Sequence, residues 1–256
     1  MDQSVAIRIE NLRKSFHSGR EQVLKGVTLS FFRGKLTYIL GPSGVGKSVL
    51  LKHILGLMRP DSGKVIVDGQ DLGQMSWHDL EKMRLKFGML FQNSALFDDM
   101  TVFENVAFPL REHTDLSEEK ILEKVKTTLE LLGMKEGLHK FPNELSGGMR
   151  KRVGLARAIV REPSILLYDE PTTGLDPVTR TTVDELIESL KKRLKLTSIV
   201  ISHDIPSALL LADNIAFIFG GEIVFFGTPQ EFRKAEHPAI TSFLNAERRI
   251  LDAFQV

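Results

Sequence analysis

The sequence predicts an α/β fold with a helical insertion around residues 95–160 and a short helical tail. Three observations support this prediction. The apolar run YIL leads directly into the glycine-rich loop GPSGVGKS, which opens the apolar-periodic segment SVLLKHILGLM. The runs SILLYDEP and TSIVISHD are short, apolar and end in polar residues, as buried parallel strands do when functional groups follow them. Between about Thr101 and Val160, apolar positions recur at helical spacing.

The individual elements follow in chain order. AIRIE, VTLSF, LTYIL, KVIVDG and FGMLFQ predict short strands, and LSEEKILEKVKTTLELLG predicts a helix that ends at Gly133. Asp176-Pro177 caps a helix with an apolar stripe. NIAFIFGGEIVFFG predicts a β-hairpin, and Thr228 to Glu231 form a capping box that opens the last helical segment. The stripe of the capped helix consists of Val183, Leu186, Ile187, Leu190 and Leu194.

The composition excludes several classes of protein. The 256 residues are 42% hydrophobic and 26% charged, enough for one sizeable core or two small domains. The net charge of +1 gives no general attraction to nucleic acid, so no nucleic-acid partner is expected. Cysteine is absent, which excludes disulfides and thiolate metal sites and fits the cytoplasm. No run has the apolar length of a signal peptide or a membrane helix, so we expect a chain that lies beside a membrane at most.

The segment from Gly41 to Ser48 fills every fixed position of the P-loop pattern. Its glycines would expose backbone N–H groups to phosphates, Lys47 would reach the β- and γ-phosphate oxygens, and Ser48 would bind Mg²⁺. A chance glycine-rich turn is the alternative, but the preceding strand and the following helix favour the P-loop. The predicted nucleotide contacts are Gly41, Pro42, Ser43, Gly44, Val45, Gly46, Lys47, Ser48 and Val49.

Further polar residues follow predicted strands, where they would lie beside the P-loop. Asp169 is placed to bind Mg²⁺ and Glu170 to polarise the attacking water, although both could also cap a turn. His203 and Gln92 have the same placement. In isolation, a lone histidine is usually structural and a lone glutamine is usually a surface amide.

The stretch NELSGGMRKRVGLARAIV predicts a second helix whose start can bind an anion. Ser146 can cap this helix, and Gly147 and Gly148 allow a ligand close to the backbone, where the N–H groups and the helix dipole attract negative charge. One nucleotide needs only one phosphate cradle, so the second anion site requires an explanation. Asp176 is ambiguous, because an N-cap aspartate before proline needs no further role.

Taken in order, these motifs resemble the ATP-binding subunits of ABC transporters over nearly the whole chain. The matching residues are an early aromatic, GPSGVGKS, Gln92, LSGGM, ILLYDEP, TGLD and His203. The resemblance implies a P-loop (RecA-like) ATPase core, an N-terminal antiparallel β subdomain and an ABC-specific α-helical subdomain at about 95–160. It places the ATPase domain at residues 1–234 and a helical tail at 235–256, with ATP and Mg²⁺ as cofactors.

The resemblance also assigns roles to individual residues. Phe16 matches an adenine-stacking aromatic that is commonly tyrosine, and Gln92 matches the residue that joins Mg²⁺ and the water to the membrane partner. Glu170 matches the catalytic base, and His203 matches the switch residue at the γ-phosphate. The D-loop ends at Asp176, but Thr-Gly stands where Ser-Ala is frequent. The implied catalytic set is Glu170, His203, Lys47 and Gln92, and the implied metal ligands are Ser48, Gln92 and Asp169.

The resemblance also explains the second anion site. In this family, LSGGM binds the γ-phosphate of ATP that is held on the P-loop of another copy. It therefore implies a head-to-tail, ATP-dependent homodimer, in which Ser146, Gly147 and Gly148 of one copy complete the site of the other.

Two stretches, SALFDDMTVFENVAFPLREHT and LSGGMRKRVGLARAI, look like the ATPase of Mla/Mce-type lipid transporters. This likeness implies an integral membrane permease, a lipid-binding protein with an Mce domain, and a peripheral position at the cytoplasmic face of the inner membrane. The expected docking contacts, for which ordinary core packing is the alternative, are Leu96, Phe97, Met100, Val102 and Phe103. The rival functions are the ATPase of an amino-acid or small-molecule importer, a soluble ABC ATPase of a cytosolic assembly such as iron–sulfur cluster biogenesis, and an ABC-type translation factor.

Overall fold

A computed structural model describes residues 4–253, with side chains described up to residue 245. The chain divides into two compact units, Met1–Arg84 with Thr197–Val256, and Leu85–Leu196. The first unit therefore consists of two chain segments, and the second unit is the continuous segment between them.

The first unit contains an antiparallel sheet built from the N-terminal third of the chain. Its strands are β1 (Val5–Phe16), β2 (Glu21–Phe32), β4 (Ser62–Val67) and β5 (Gln70–Asp71), in the order β2-β1-β4-β5. Ile7, Ile9 and Leu12 on β1 are fully buried, while polar residues between them are more exposed. This alternation is typical of a sheet with one face on the core.

The same unit contains a second set of strands around β3 (Leu36–Leu40), in which every residue is buried. β3 is parallel to β8 (Thr197–Ser202) on one side and to β9 (Asn214–Phe219) on the other, and β10 (Glu222–Gly227) forms an antiparallel hairpin with β9. Leu40 lies opposite Ser202. Because these two strands end level, the P-loop after Leu40 and His203 after Ser202 leave the same edge of the sheet.

The helices of the first unit are α1 (Lys47–Ile54), α2 (Trp77–Arg84), α7 (Ile205–Leu211), α8 (Pro229–Arg233) and α9 (Pro238–Ala253). Helix α1 follows the P-loop directly, and the Thr228–Glu231 capping box opens α8. Most of the predicted tail therefore lies in α9, while its last three residues lie outside the described part of the chain. The sequence patterns did not predict α2, α7 or β5.

The second unit packs helices against a pair of parallel strands. These are β6 (Phe87–Leu90) and β7 (Ile165–Asp169), with Leu90 opposite Tyr168. Its helices are α3 (Val102–His113), α4 (Glu118–Leu131), α5 (Gly147–Ile159) and α6 (Pro177–Leu194). Side-chain caps at Thr101, Ser146 and Asp176 begin α3, α5 and α6.

The predicted α/β class is confirmed, with an antiparallel N-terminal sheet, parallel strands that lead into polar residues, and helices between residues 95 and 160. Among the described helices, none combines the length and the apolar character that a membrane crossing requires.

Candidate nucleotide-binding site

The P-loop connects the end of β3 to the start of α1, as the sequence predicts. Gly46, the residue before α1, has φ 102°, and a Cβ there would lie 2.9 Å from Cγ1 of Val23. Only glycine fits this position without strain and collision. The loop can therefore fold tightly and aim the first turn of α1, with its N–H groups and positive dipole end, at an anion.

Lys47 curls back over the loop that it ends. Its ammonium group donates hydrogen bonds to the carbonyl oxygens of Gly41 (2.7 Å) and Pro42 (2.9 Å), and the residue is 7% exposed. Ser48, by contrast, is exposed. The charge of Lys47 is thus held inside the curve of the loop, where a phosphate would enter.

Two other predicted site residues lie in the first unit. His203 is exposed and directly follows β8, and the next residue, Asp204, begins α7 by accepting a hydrogen bond from the amide of Ser207 at 3.2 Å. Phe16 is half-buried at the end of β1, and the ammonium of Lys14 lies 5.8 Å from the centre of its ring. A flat aromatic ring, the kind of group that can stack on a base, thus lies at the end of β1.

The two adjacent carboxylates lie at the end of β7 in the second unit. Asp169 is the last residue of the strand, and Glu170 has a left-handed backbone with φ 47°. For a residue with a Cβ, this conformation costs roughly 1–2 kcal/mol. The hydroxyl of Thr173 donates a hydrogen bond of 2.9 Å to Oε2 of Glu170, which orients the side chain of this residue.

Gln92 lies two residues beyond the end of β6, with an exposed side chain. Its backbone carbonyl accepts a hydrogen bond from the ammonium of Lys151, a residue of α5 that is 5% exposed. Burial lowers the pKa of Lys151, and the negative charge of Asp169 partly opposes this effect. Helix α5 therefore contributes a buried positive charge that acts on Asp169.

The LSGGM segment forms the start of α5, as predicted. Ser146 is exposed and its hydroxyl accepts a hydrogen bond of 3.3 Å from the amide of Met149, while Gly147 and Gly148 form the first turn. A Cβ on Gly147 would approach its nearest neighbour only to 3.7 Å. This helix start is accessible and carries the dipole and N–H groups that bind anions.

Asp176 has a structural role that is complete without a ligand. Its carboxylate accepts hydrogen bonds from the amides of Val178 (3.0 Å) and Thr179 (3.1 Å) and thereby begins α6. Hydrogen bonds from the side chain and then the backbone of Thr179 lower its pKa. A nucleotide contact at Asp176 stays a prediction.

A family model described as ABC transporter matches residues 24–173, which is more than half of the chain. The chain belongs to the ABC transporter family. It is accordingly an ATPase that binds ATP.

Curated ABC relatives extend over nearly the whole chain. The intermembrane phospholipid transport system ATP-binding protein MlaF of Escherichia coli K12 is 41% identical over 245 residues, which are 96% of this chain and 91% of MlaF. The probable ribonucleotide transport ATP-binding protein mkl of Mycobacterium leprae is 42% identical over 248 residues, or 97% of this chain and 71% of that protein.

Solved ABC structures have the same fold. The cbiO1 protein of Clostridium perfringens, part of the ABC transporter complex cbiONQ, gives a TM-score of 0.84 at 31% identity and covers 99% of this chain and 100% of that one. A dimeric ATP-binding cassette bound to ADP and Pi after hydrolysis gives 0.79 at 32% identity and covers 87% of this chain and 98% of that one.

The predicted metal ligands of this ABC ATPase have chemistry that suits Mg²⁺. Ser48, Gln92 and Asp169 offer hydroxyl, amide and carboxylate oxygens, the donors that this ion prefers. In the part of the chain that the structure describes, three or more His, Asp or Glu side chains nowhere gather into a cluster that could hold a metal. A metal here would depend on few protein ligands and on phosphate oxygens, which is how Mg²⁺ is held in nucleotide sites.

The loop between β6 and α3 of the ABC ATPase contains the expected docking residues, and one of those expectations is wrong. Phe97 is 41% exposed, with its ring 5.1 Å from that of Phe108, and Leu96, Met100 and Phe103 are partly exposed. Val102 is fully buried as the first residue of α3, so it belongs to the core.

Sequence reasoning missed the residue that organises this loop. Asn105 is 0% exposed, and its side-chain oxygen accepts a hydrogen bond of 2.8 Å from the amide of Phe97. Its amide nitrogen donates to the carbonyls of Phe97, Met100 and Thr101 at 3.0, 3.0 and 3.1 Å. A polar residue at a buried position of an otherwise amphipathic helix was the only available signal.

Proposed function

We propose that this chain is the ATP-hydrolysing subunit of a lipid transporter whose cargo is phospholipid. The transporter moves this lipid across or between bacterial envelope membranes through a separate permease. The observation that carries the proposal is the 41% identity to MlaF along 91% of that protein's length. The mkl relative is named for a different cargo, but this chain spans only 71% of it. The proposal places the chain peripherally at the cytoplasmic face of the inner membrane, with an Mce-domain protein in the same complex.

The proposed ATPase domain spans residues 1–234, with a helical subdomain at about 95–160, and residues 235–256 form a C-terminal tail. Within it, the P-loop from Gly41 to Val49 binds the phosphates, and Phe16 stacks on the adenine. Lys47 moves its ammonium from two backbone carbonyls of its own loop to phosphate oxygens. Ser48, Gln92 and Asp169 would hold Mg²⁺, which would supply positive charge to the phosphates when bound.

Hydrolysis requires a water molecule in line with the γ-phosphate and a group that accepts its proton. We assign this role to Glu170, whose carboxylate is oriented by the hydrogen bond from the Thr173 hydroxyl. His203 contacts the γ-phosphate from the end of β8 and senses whether this phosphate is present.

The proposed active form is a head-to-tail homodimer. Ser146, Gly147 and Gly148 of one copy bind the γ-phosphate held on the P-loop of the other copy, and Asp176 lies in the connecting D-loop. The exposed hydroxyl and the open first turn of α5 support this assignment, because they leave the anion site of the helix accessible. Binding and loss of one phosphate then shift the dimer between a closed and an open state.

Mixed dimers test the sharing directly. Lys47→Ala removes the phosphate contact of one P-loop, and Gly147→Asp places a carboxylate at the start of α5, where it stabilises the helix but repels phosphate. A dimer with one mutation in each subunit keeps one intact shared site and should retain about half of the activity of the wild type. A dimer with both mutations in one subunit should be inactive.

The measurement is ATP hydrolysis by dimers purified through two different affinity tags, with both homodimers as inactive references. If each cassette used its own LSGGM segment, the two results would be exchanged. An inactive dimer in the first arrangement and an active one in the second would therefore contradict the shared site.

The proposed docking of the permease rests on Phe97. Phe97→Asp should release the ATPase from the detergent-solubilised membrane complex, because a carboxylate would lose its water in an apolar contact. Phe219→Asp is the control, since Phe219 is similarly exposed at 44% but lies at the end of β9. Cells that carry only the Phe97 variant should have leaky, detergent-sensitive envelopes. Release by both variants, or by neither, would contradict the assignment.

The cargo is tested with the purified wild-type complex in phospholipid vesicles. We expect ATP-dependent movement of labelled phospholipid, which Lys47→Ala abolishes. A native complex that contains an amino-acid permease and its binding protein, or iron–sulfur assembly proteins, would overturn the lipid function and leave the ATPase assignment unchanged.

A further inference from the structure

Helix α5 presents a row of three residues to the loop that follows β6. Lys151, Gly154 and Arg157 are spaced three residues apart, so they share one face of the helix. The flanking residues of this helix include the buried Val153, Leu155 and Ala156. Two cationic side chains beside such apolar neighbours need an explanation, because burying a charge costs more desolvation free energy than packing an apolar side chain in the same place.

Both cations end on backbone carbonyls of the loop. The ammonium of Lys151 donates to the carbonyl of Gln92. The guanidinium of Arg157 donates to the carbonyls of Ser94 (2.9 Å) and Ala95 (2.8 Å) and lies 5.6 Å from the ring centre of Phe97. The helix therefore holds the loop through backbone carbonyls, and the guanidinium over the Phe97 ring adds a contact with a loop side chain.

The loop has a conformation that needs such support. Ser94 and Ala95 both have left-handed backbones, with φ 61° and 47°, which residues with a Cβ rarely adopt. These are also the residues whose carbonyls Arg157 holds. Two consecutive strained residues persist only where the surroundings enforce them.

Gly154 allows the close approach that these bonds require. A Cβ on Gly154 would lie 3.0 Å from both Cδ1 of Leu90 and Cβ of Ser94. The middle of the row is thus in contact with the loop backbone, and the two cations reach past it on either side.

We propose that Lys151 and Arg157 are positioning residues that clamp the loop from Gln92 to Phe97 onto the helix that begins at LSGGM. The clamp makes the docking loop and the anion-binding start of α5 move as one body. A displacement of Phe97 then also displaces Ser146–Gly148, without a change in the P-loop. This coupling rests on the proposed function, whereas the clamp itself is a property of the isolated chain.

The chain offers a matched control on the same helix. Arg152 is half-buried like Arg157, and it donates a hydrogen bond of 2.7 Å to a backbone carbonyl, but that carbonyl belongs to Leu132. Arg152→Met therefore removes an equivalent contact from α5 without touching the loop. Arg157→Lys and Lys151→Arg retain the charge at each clamp position.

The first measurement is amide hydrogen exchange of residues 93–97 in the isolated full-length chain. Arg157→Met should accelerate exchange there by about tenfold or more, since two hydrogen bonds that close the loop are lost. Arg157→Lys should give an intermediate rate, Lys151→Arg should rescue most of the effect of Lys151→Met, and Arg152→Met should leave the loop unchanged. Unchanged exchange in both methionine variants of the clamp, or equal acceleration by Arg152→Met, would overturn the clamp.

The second measurement is ATP hydrolysis by the assembled membrane complex. Arg157→Met should lower kcat several-fold and leave KM for ATP within about twofold, because the altered contact lies outside the P-loop. If Arg157→Met does not fold, Arg157→Lys is measured instead and should also show a lower kcat with a nearly unchanged KM for ATP. Faster loop exchange with an unchanged kcat would overturn the coupling and leave the clamp intact. If the transporter proved to carry a cargo other than lipid, neither the exchange result nor the kinetic result would change.

Discussion

Replacement of Asn105 by aspartate tests whether this side chain holds the loop before α3 in place. The substitution exchanges one nitrogen for oxygen and leaves no cavity. It keeps an acceptor for the amide of Phe97 but removes the side-chain donors to the carbonyls of Phe97, Met100 and Thr101. The carbonyls of Phe97 and Thr101 keep the backbone amides of Met100 and Asn105 as donors. The side chain is 0% exposed, so water cannot replace the lost donors.

The magnitude follows from the number of hydrogens. Two N–H groups of Asn105 serve three carbonyl oxygens, so one of them is shared. The chief loss is at the carbonyl of Met100, because the other two carbonyls keep backbone donors, and an orphaned buried polar group costs roughly 1–3 kcal/mol. The new carboxylate would also face carbonyl oxygens, which adds to the loss. We therefore expect a destabilisation within this range and toward its upper end.

Urea unfolding followed by circular dichroism measures the change as a lower midpoint at an unchanged m-value. Asn93→Asp is the control, because it makes the same chemical change at an exposed position of the same loop and should alter stability by less than about 0.5 kcal/mol. If the two variants unfolded within about 1 kcal/mol of each other, the hydrogen bonds of Asn105 would not hold the loop, and the reasoning would be refuted.

Two further predictions concern carboxylates. Glu170→Gln should keep ATP binding and lose a factor of about 10² to 10⁴ in turnover, because an amide cannot accept the proton. The variant should therefore accumulate as an ATP-bound dimer on a sizing column. Hydrolysis at the wild-type rate would show that Glu170 is not the proton acceptor. Hydrogen bonds from the side chain and backbone of Thr101 lower the pKa of Glu104. Its stabilisation is therefore present above the unfolded pKa and lost as pH falls through the lower folded value, so Glu104→Gln should flatten the acid side of the stability profile, and an unchanged slope in urea titrations would contradict this.

Local patterns predicted the ends of helices well. Ser146, Asp176 and Thr228 each accept the hydrogen bonds expected of an N-cap, and a left-handed Gly133 follows α4. These features depend on residues two to four positions apart, so the sequence contains all the information that they need.

Contacts between distant residues were not predictable in the same way. The bond from Lys151 to the carbonyl of Gln92 joins residues 59 positions apart, and the bonds of Arg157 span 62 and 63 positions. The carbonyls involved belong to the backbone, which every residue has, so no residue type marks them. Val102 illustrates the same limit, because its apolar character fits a docking surface and a core equally well, and only its burial decides.

The left-handed backbone of Glu170 has a consequence for protein engineering. Glycine or asparagine at this position would relax a conformation that costs glutamate roughly 1–2 kcal/mol, so either substitution should make the folded chain more resistant to heat. The same substitution would remove the proposed proton acceptor. A screen that selects thermostable variants would therefore enrich chains that no longer turn over ATP, and selection for durability and selection for turnover act in opposite directions at this single residue.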